Sequence, residues 1–181
     1  MHKLKFLALA LSVLSVAAFS QTKTVEVDKN QSTITYRLEH PLHHIEAVSK
    51  DGWFRVEVDA AKQEVQRVWA QVDVMTFDSG NSNRDSHAME VVESIKYPDV
   101  TFVSTAVAQS GDSIKVAGKL TFHGVTNDIV MSGVTKWSEG RLVVQGGFDL
   151  SLTAFKVQRP ALLMIPVDDT LRFALTAGFA L

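Results

Sequence analysis

The chain has 181 residues, of which 46% are apolar and 21% charged, with no cysteine and a net charge of −2. That apolar content excludes a disordered tail, and the missing thiol excludes a disulfide-stapled miniprotein, a thiolate-ligated metal and thiol redox chemistry. No basic stripe is present, which excludes a general nucleic-acid binder.

Residues 1–20 read as one unit. Lys3 and Lys5 make a basic start. Phe6 to Leu11, with Val13, Leu14 and Val16, make an apolar run. Ala18-Phe19-Ser20 then places small residues at the −3 and −1 positions of a cleavage site. This is the three-part pattern of a secretory signal peptide. The run is short for a membrane span, so an uncleaved anchor is the weaker alternative. No cysteine follows it, so a lipoprotein anchor is excluded. Cleavage before Gln21 leaves one domain, 21–181, with 16 basic against 20 acidic side chains and a net charge of −4. The expected location is periplasmic or secreted.

The remaining chain alternates with period 2, the signature of strands with one buried face. In chain order the apolar sets are Ile34, Tyr36, Leu38; Phe54, Val56, Val58; Val68, Ala70, Val72, Val74; Ile114, Val116, Leu120, Phe122; Leu142, Val144, Phe148, Leu150; and Leu171, Phe173, Leu175, Phe179. Two further runs, Val100 to Val107 and Ile129 to Val134, are apolar on both faces. Turn residues at 28–30, 59–61, 110–112, 126–128 and 138–140 separate the strands and imply antiparallel pairing. Gly118, Gly133, Gly146, Gly147 and Gly178 fall inside strand patterns, where glycine marks bulges and sharp bends. The fold class is all-β, an eight-stranded antiparallel barrel, since closure removes both sheet edges. A barrel of that size encloses packed side chains or one small ligand. Its expected wall is Tyr36, Phe54, Val56, Phe102, Leu120, Phe122, Phe148 and Phe173. Walls of this kind suit an apolar ligand better than a sugar or nucleotide.

Two stretches break the alternation. Ser86 to Ile95 places Met89, Val92 and Ile95 on one helical face, with Asp85 or Ser86 as the expected cap and Tyr97-Pro98 as the stop. Val157 to Asp169 carries Leu162-Leu163-Met164-Ile165 between Pro160 and Pro166. Its prolines disfavour a central strand. An apolar loop of this kind is expected to cover a barrel mouth through Leu163 and Met164, or to bury itself in a homodimer interface.

Two segments carry a family resemblance. One is Asn83-Arg84-Asp85-Ser86-His87 followed by Tyr97-Pro98-Asp99-Val100-Thr101-Phe102. The other is Leu120-Thr121-Phe122-His123-Gly124-Val125-Thr126. Together they resemble the YceI family of exported, lipocalin-like polyisoprenoid-binding proteins, over about Thr24 to Leu181. The resemblance implies non-enzymatic binding, storage or transport of an isoprenoid or other long apolar lipid in a barrel tunnel, with no catalytic residues and no cofactor. Leu152-Thr153-Ala154-Phe155-Lys156-Val157 departs from the family's pattern in the last third.

The polar constellations weigh less. His40, His43 and His44 invite a metal or redox reading, but their spacing matches no metal signature and Pro41 spoils a helical pair. The bland reading is a polar loop. Arg84, Asp85 and His87 lack a visible acid–base partner. Asp85 is expected to cap the helix and Arg84 to tie down the Asn-rich loop or to meet an anionic lipid head group at the mouth. His87 and His123 are expected to be structural. No nucleophile elbow, phosphate loop or zincin motif is present.

Overall fold

The computed structural model describes residues 22–181, and the signal-peptide expectation at 1–20 lies outside them. The strands are β1 Thr22–His40, β2 His43–Ser49, β3 Trp53–Asp59, β4 Glu64–Asp73, β5 Asp99–Ser110, β6 Ser113–Phe122, β7 Val125–Ser138, β8 Arg141–Ser151, β9 Ala161–Leu162, β10 Ile165–Pro166 and β11 Thr170–Ala180. One α-helix, α1 Ser82–Val91, lies between β4 and β5. Eight strands close an antiparallel barrel in the order β1-β3-β4-β5-β6-β7-β8-β11, and β11 returns to β1.

Closure depends on β1. Its first part, Thr22 to Glu26, pairs with β3, and its second part, Ser32 to Leu38, pairs with β11. The expected turn at 28–30 is therefore a kink inside one strand. Asn30 takes φ 65°, and the register slips between Val27 and Ser32. A bulge of this kind bends a strand without ending it. The histidine loop also resolves differently. His43 and His44 begin β2, which pairs with β1 from His40↔His43 to Ile34↔Ser49. The expected turn at 126–128 is part of β7, and the β6–β7 turn is His123-Gly124, both at positive φ.

The inward face follows the alternation. In β6, Ile114, Val116, Leu120 and Phe122 are buried while Ser113, Lys115, Lys119 and Thr121 point outward. One end of the barrel is packed shut, with Val58, Leu142 and Phe179 almost fully buried. The other end carries α1, the β6–β7 turn, a 3-10 turn at Thr153–Phe155 and the β9–β10 hairpin.

The helix starts four residues earlier than its apolar spacing suggests. Asn81 is the cap, its side-chain oxygen accepting from the Arg84 N–H at 3.1 Å. Asp85 sits in the first turn and accepts from the Ser79 hydroxyl at 2.5 Å instead. The helix ends at Val91, and Glu93 follows at φ 48°. Ile95 consequently leaves the apolar face and is 97% exposed.

Candidate functional site

The inward side chains do not fill the barrel. They surround a cavity of about 230 Å³. Tyr36, Phe54, Val56, Phe102, Leu120, Phe122, Phe148 and Phe173 all line it. Period-2 alternation fixes which face each of these occupies, so the wall is readable once closure is assumed. Phe179 lines the cavity at the closed end, with Val58 and Leu142 packed beyond it.

The opposite end is roofed by α1. Arg84, His87, Ala88, Met89, Val91 and Val92 contribute to the lining. The sequence shows Met89 and Val92 on one helical face, but nothing local says that this face looks into the barrel. The roof is fixed through the loop before it. The Arg84 Nε donates to the Ser79 hydroxyl at 2.8 Å and Nη2 donates to the Ser79 carbonyl at 2.7 Å. Asp78 pairs with Val48 through two backbone hydrogen bonds of 2.9 and 3.0 Å. The chain from β2 to α1 is thereby one connected piece.

Aromatic rings form a band across three adjacent strands. Phe148 stacks on Phe173 at 4.9 Å between centroids, and Tyr36 meets Phe173 edge-on at 6.3 Å and Phe77 at 5.3 Å. The Tyr36 hydroxyl has no hydrogen-bond partner among the described residues, although it is a donor within an apolar lining. Burial pushes its phenol pKa above the ordinary value, the Asp85 charge adds to this, and Arg84 opposes it. It is therefore a neutral hydroxyl at neutral pH, available to a ligand.

The Val157 to Asp169 segment divides into two parts. Val157 and Pro160 line the cavity. Leu163 and Met164 do not. They form the two-residue turn between β9 and β10, at φ 51° and 66°, and are 76% and 88% exposed. The expectation that they cover the mouth is corrected accordingly. A two-residue turn with both φ positive projects its side chains from the tip of the hairpin, and here the tip points into solvent. The hairpin is anchored at its base, where the Val167 N–H donates to the Pro160 carbonyl at 2.9 Å and the Asp168 N–H to the Glu39 carbonyl at 2.8 Å.

The histidines are held individually. His40 is buried, accepts from the Leu42 N–H at Nδ1 and faces the Ile165 carbonyl with Nε2 at 3.0 Å. That arrangement requires the neutral Nε2–H tautomer, because a carbonyl can only accept. His123 bridges the Phe155 carbonyl at 3.1 Å and the Glu93 carboxylate at 2.8 Å, tying the β6–β7 turn to both neighbouring segments. His87 lies 3.8 Å from Glu90 on the helix surface. Among the described residues no three His, Asp or Glu side chains converge on a point suited to a metal ion.

The YceI-like domain profile matches residues 26–179. This chain belongs to the YceI-like family. A UPF0312 protein of Pseudomonas syringae pv. tomato is 28% identical to this YceI-like chain, over 94% of it and 92% of the relative. Among solved structures, BcnA of Burkholderia cenocepacia superposes with a TM-score of 0.74 at 22% identity, covering 84% of this chain and 98% of BcnA. A polyisoprenoid binding domain from Saccharophagus degradans gives 0.64 at 12% identity, covering 86% and 97%. At these identities the structural likeness establishes the shared barrel fold.

Proposed function

We propose that this YceI-like protein binds a long apolar lipid of the isoprenoid type inside its barrel, outside the cytoplasm, as a carrier or store and without catalysing a reaction. The observation that carries the reading is the cavity itself. Its wall is largely apolar from Phe179 to α1, and the Tyr36 hydroxyl within it has no partner among the described residues. Moving a chain from water into such a wall gains roughly 0.8 kcal/mol per methylene. Several prenyl units therefore exceed the ordering costs of binding. The domain from Saccharophagus degradans, described as polyisoprenoid binding, supports the same ligand class. The basic-apolar-small pattern of residues 1–20 supports export, with release after Ser20.

The wall residues named above are the proposed ligand contacts, and Arg84 is a positioning residue at the mouth that holds the α1 roof. The test is organic extraction of protein purified from its exported fraction, followed by mass spectrometry of the extract and of the intact chain. A co-purified prenyl lipid and a chain beginning at Gln21 are the expected results. A chain retaining residues 1–20 overturns the export reading. An extract without prenyl lipid, from a protein that also fails to take up added prenyl alcohols, overturns the binding reading.

A further inference from the structure

The barrel ladder lapses at the β1 kink, between β4 and β5 beyond Trp69↔Val103, and between β7 and β8. In the β4–β5 lapse the Val68 N–H donates to the Ser104 hydroxyl at 2.9 Å and the Val65 N–H to the Gln109 side-chain oxygen at 3.1 Å, so side chains close it. The β7–β8 lapse differs in opening onto an outer groove. Pairing of β7 with β8 runs from Ser138↔Arg141 to Ser132↔Gly147 and stops there. Beyond it, β7 from Val125 to Met131 pairs only with β6, and β8 from Phe148 to Ser151 pairs only with β11. The two strands separate while each remains regular on its other side. The far end of the gap is bridged, since the Asn127 side chain donates to the Ala154 carbonyl at 3.0 Å. What remains is a window beside Asp128 to Met131, about 13 Å of strand at ~3.3 Å per residue.

Glycines explain why the strands part at this point. A Cβ on Gly133 would sit 2.2 Å from the Gln145 carbonyl oxygen and 2.8 Å from the Gly146 Cα. One on Gly147 would sit 2.5 Å from the Phe173 carbonyl oxygen. The backbones cross in close contact at Gly133 and Gly146 and then diverge, which residues with side chains would not permit.

The window joins inside to outside. Ser132, Phe148 and Phe173 line the inner cavity and also an outer groove on the barrel face. Val130 is in that groove and is 59% exposed. An unpaired, partly apolar gap that opens onto the surface is a costly feature in a closed barrel. The groove's charged side chains are Arg37 with Glu46 at 2.5 Å and Arg172 with Asp149 at 4.0 Å. They are equal in sign count and already paired, so the rim has no excess charge to draw in an anionic head.

We infer that the β7–β8 window is the route by which a single-chain lipid enters and leaves the cavity, past the Phe148–Phe173 stack. This deepens the lipid-binding reading and rests on it. It assigns entry to the side wall and leaves the α1 roof closed during exchange.

The chain has no cysteine, so introduced thiols are unique. Val130→Cys with Asp149→Cys, joined by a disulfide-containing bismaleimide, bars the window. Val134→Cys with Gln145→Cys, on paired residues of the closed half, is the control. The probe is all-trans-retinol, an uncharged isoprenoid alcohol whose fluorescence rises in an apolar site. Barring the window is expected to slow retinol uptake and release about tenfold or more, as closing a gate does, with the amplitude at saturation retained. Reducing the linker restores both rates, and the control linkage changes neither. Equal rates with and without the window linkage overturn the inference. Absence of uptake by the unlinked protein overturns the lipid-binding reading, and this inference with it.

Discussion

Arg84 grips Ser79 twice, at the hydroxyl and at the carbonyl, and Asp85 takes the proton of the same hydroxyl. The Ser79 side chain therefore both accepts and donates, and the loop leading into α1 is fixed by adjacent residues of opposite charge.

The fork geometry of Arg84 makes its replacement informative. Lysine keeps the charge but has no planar fork to reach both Ser79 oxygens. Arg84→Lys is expected to lower stability by about 1–2 kcal/mol, the range for one or two lost charge-assisted hydrogen bonds. Urea unfolding midpoints measure this. An unchanged midpoint would show that the loop is held without Arg84.

Tyr36→Phe removes a hydroxyl without a protein partner and keeps the ring packed on Phe77 and Phe173. Stability is expected to stay within about 0.5 kcal/mol of the parent or to rise, because no internal bond is lost. Calorimetric titration should show prenyl alcohols bound about 2- to 10-fold more weakly and the corresponding hydrocarbons unaffected, as expected for one neutral hydrogen bond.

Phe122 is buried and meets the ring of Phe155 at 5.8 Å. Phe122→Ala is expected to cost about 3–5 kcal/mol, the range for truncating a core phenylalanine. Part of the loss should be recovered on adding a prenyl ligand that occupies the enlarged cavity. Thermal melts with and without the ligand read both effects.

The Leu163–Met164 turn uses two residues that dislike positive φ. Replacing them by Asn and Gly supplies the sequence favoured in such turns and is expected to stabilise the fold by about 1 kcal/mol or more. Retinol uptake should not change, since neither side chain lines the cavity. Solution mass, measured alongside, tests the dimer alternative. A mass halved by the substitution would identify the hairpin tip as the contact between copies.

Asp169 accepts from the Ser151 hydroxyl at 2.5 Å and from the Thr153 N–H at 2.9 Å, and these bonds hold its carboxyl below the ordinary aspartate range. The unfolded chain then binds the proton more readily than the folded one. Stability from this group is present above about pH 4 and is lost as pH falls through the lower folded value. Asp169→Asn should be less stable at pH 6, and the difference from the parent should shrink toward pH 3. A difference independent of pH would show that the hydrogen bonds do not distinguish the charged carboxylate.

The alternation of side chains settled most of the barrel in advance. Each inward residue from Tyr36 to Phe173 was legible because a strand's two faces are fixed by its own covalent period, whichever neighbour it finds. Glycines 133, 146 and 147 were legible as a disturbance, but not as the place where two strands part. The tertiary structure alone decided the features that depend on pairing at a distance. One residue of register decides what a strand segment presents to its partner. Residues 22–40 became one kinked strand because β3 and β11 claim its two parts. His43 and His44 joined a strand because β1 offers them an edge. Leu163 and Met164 look apolar enough to bury, yet hairpin closure by their own backbone turns them outward. The α1 roof faces the cavity because Arg84 holds Ser79 while the adjacent Asp78 pairs with Val48 of β2.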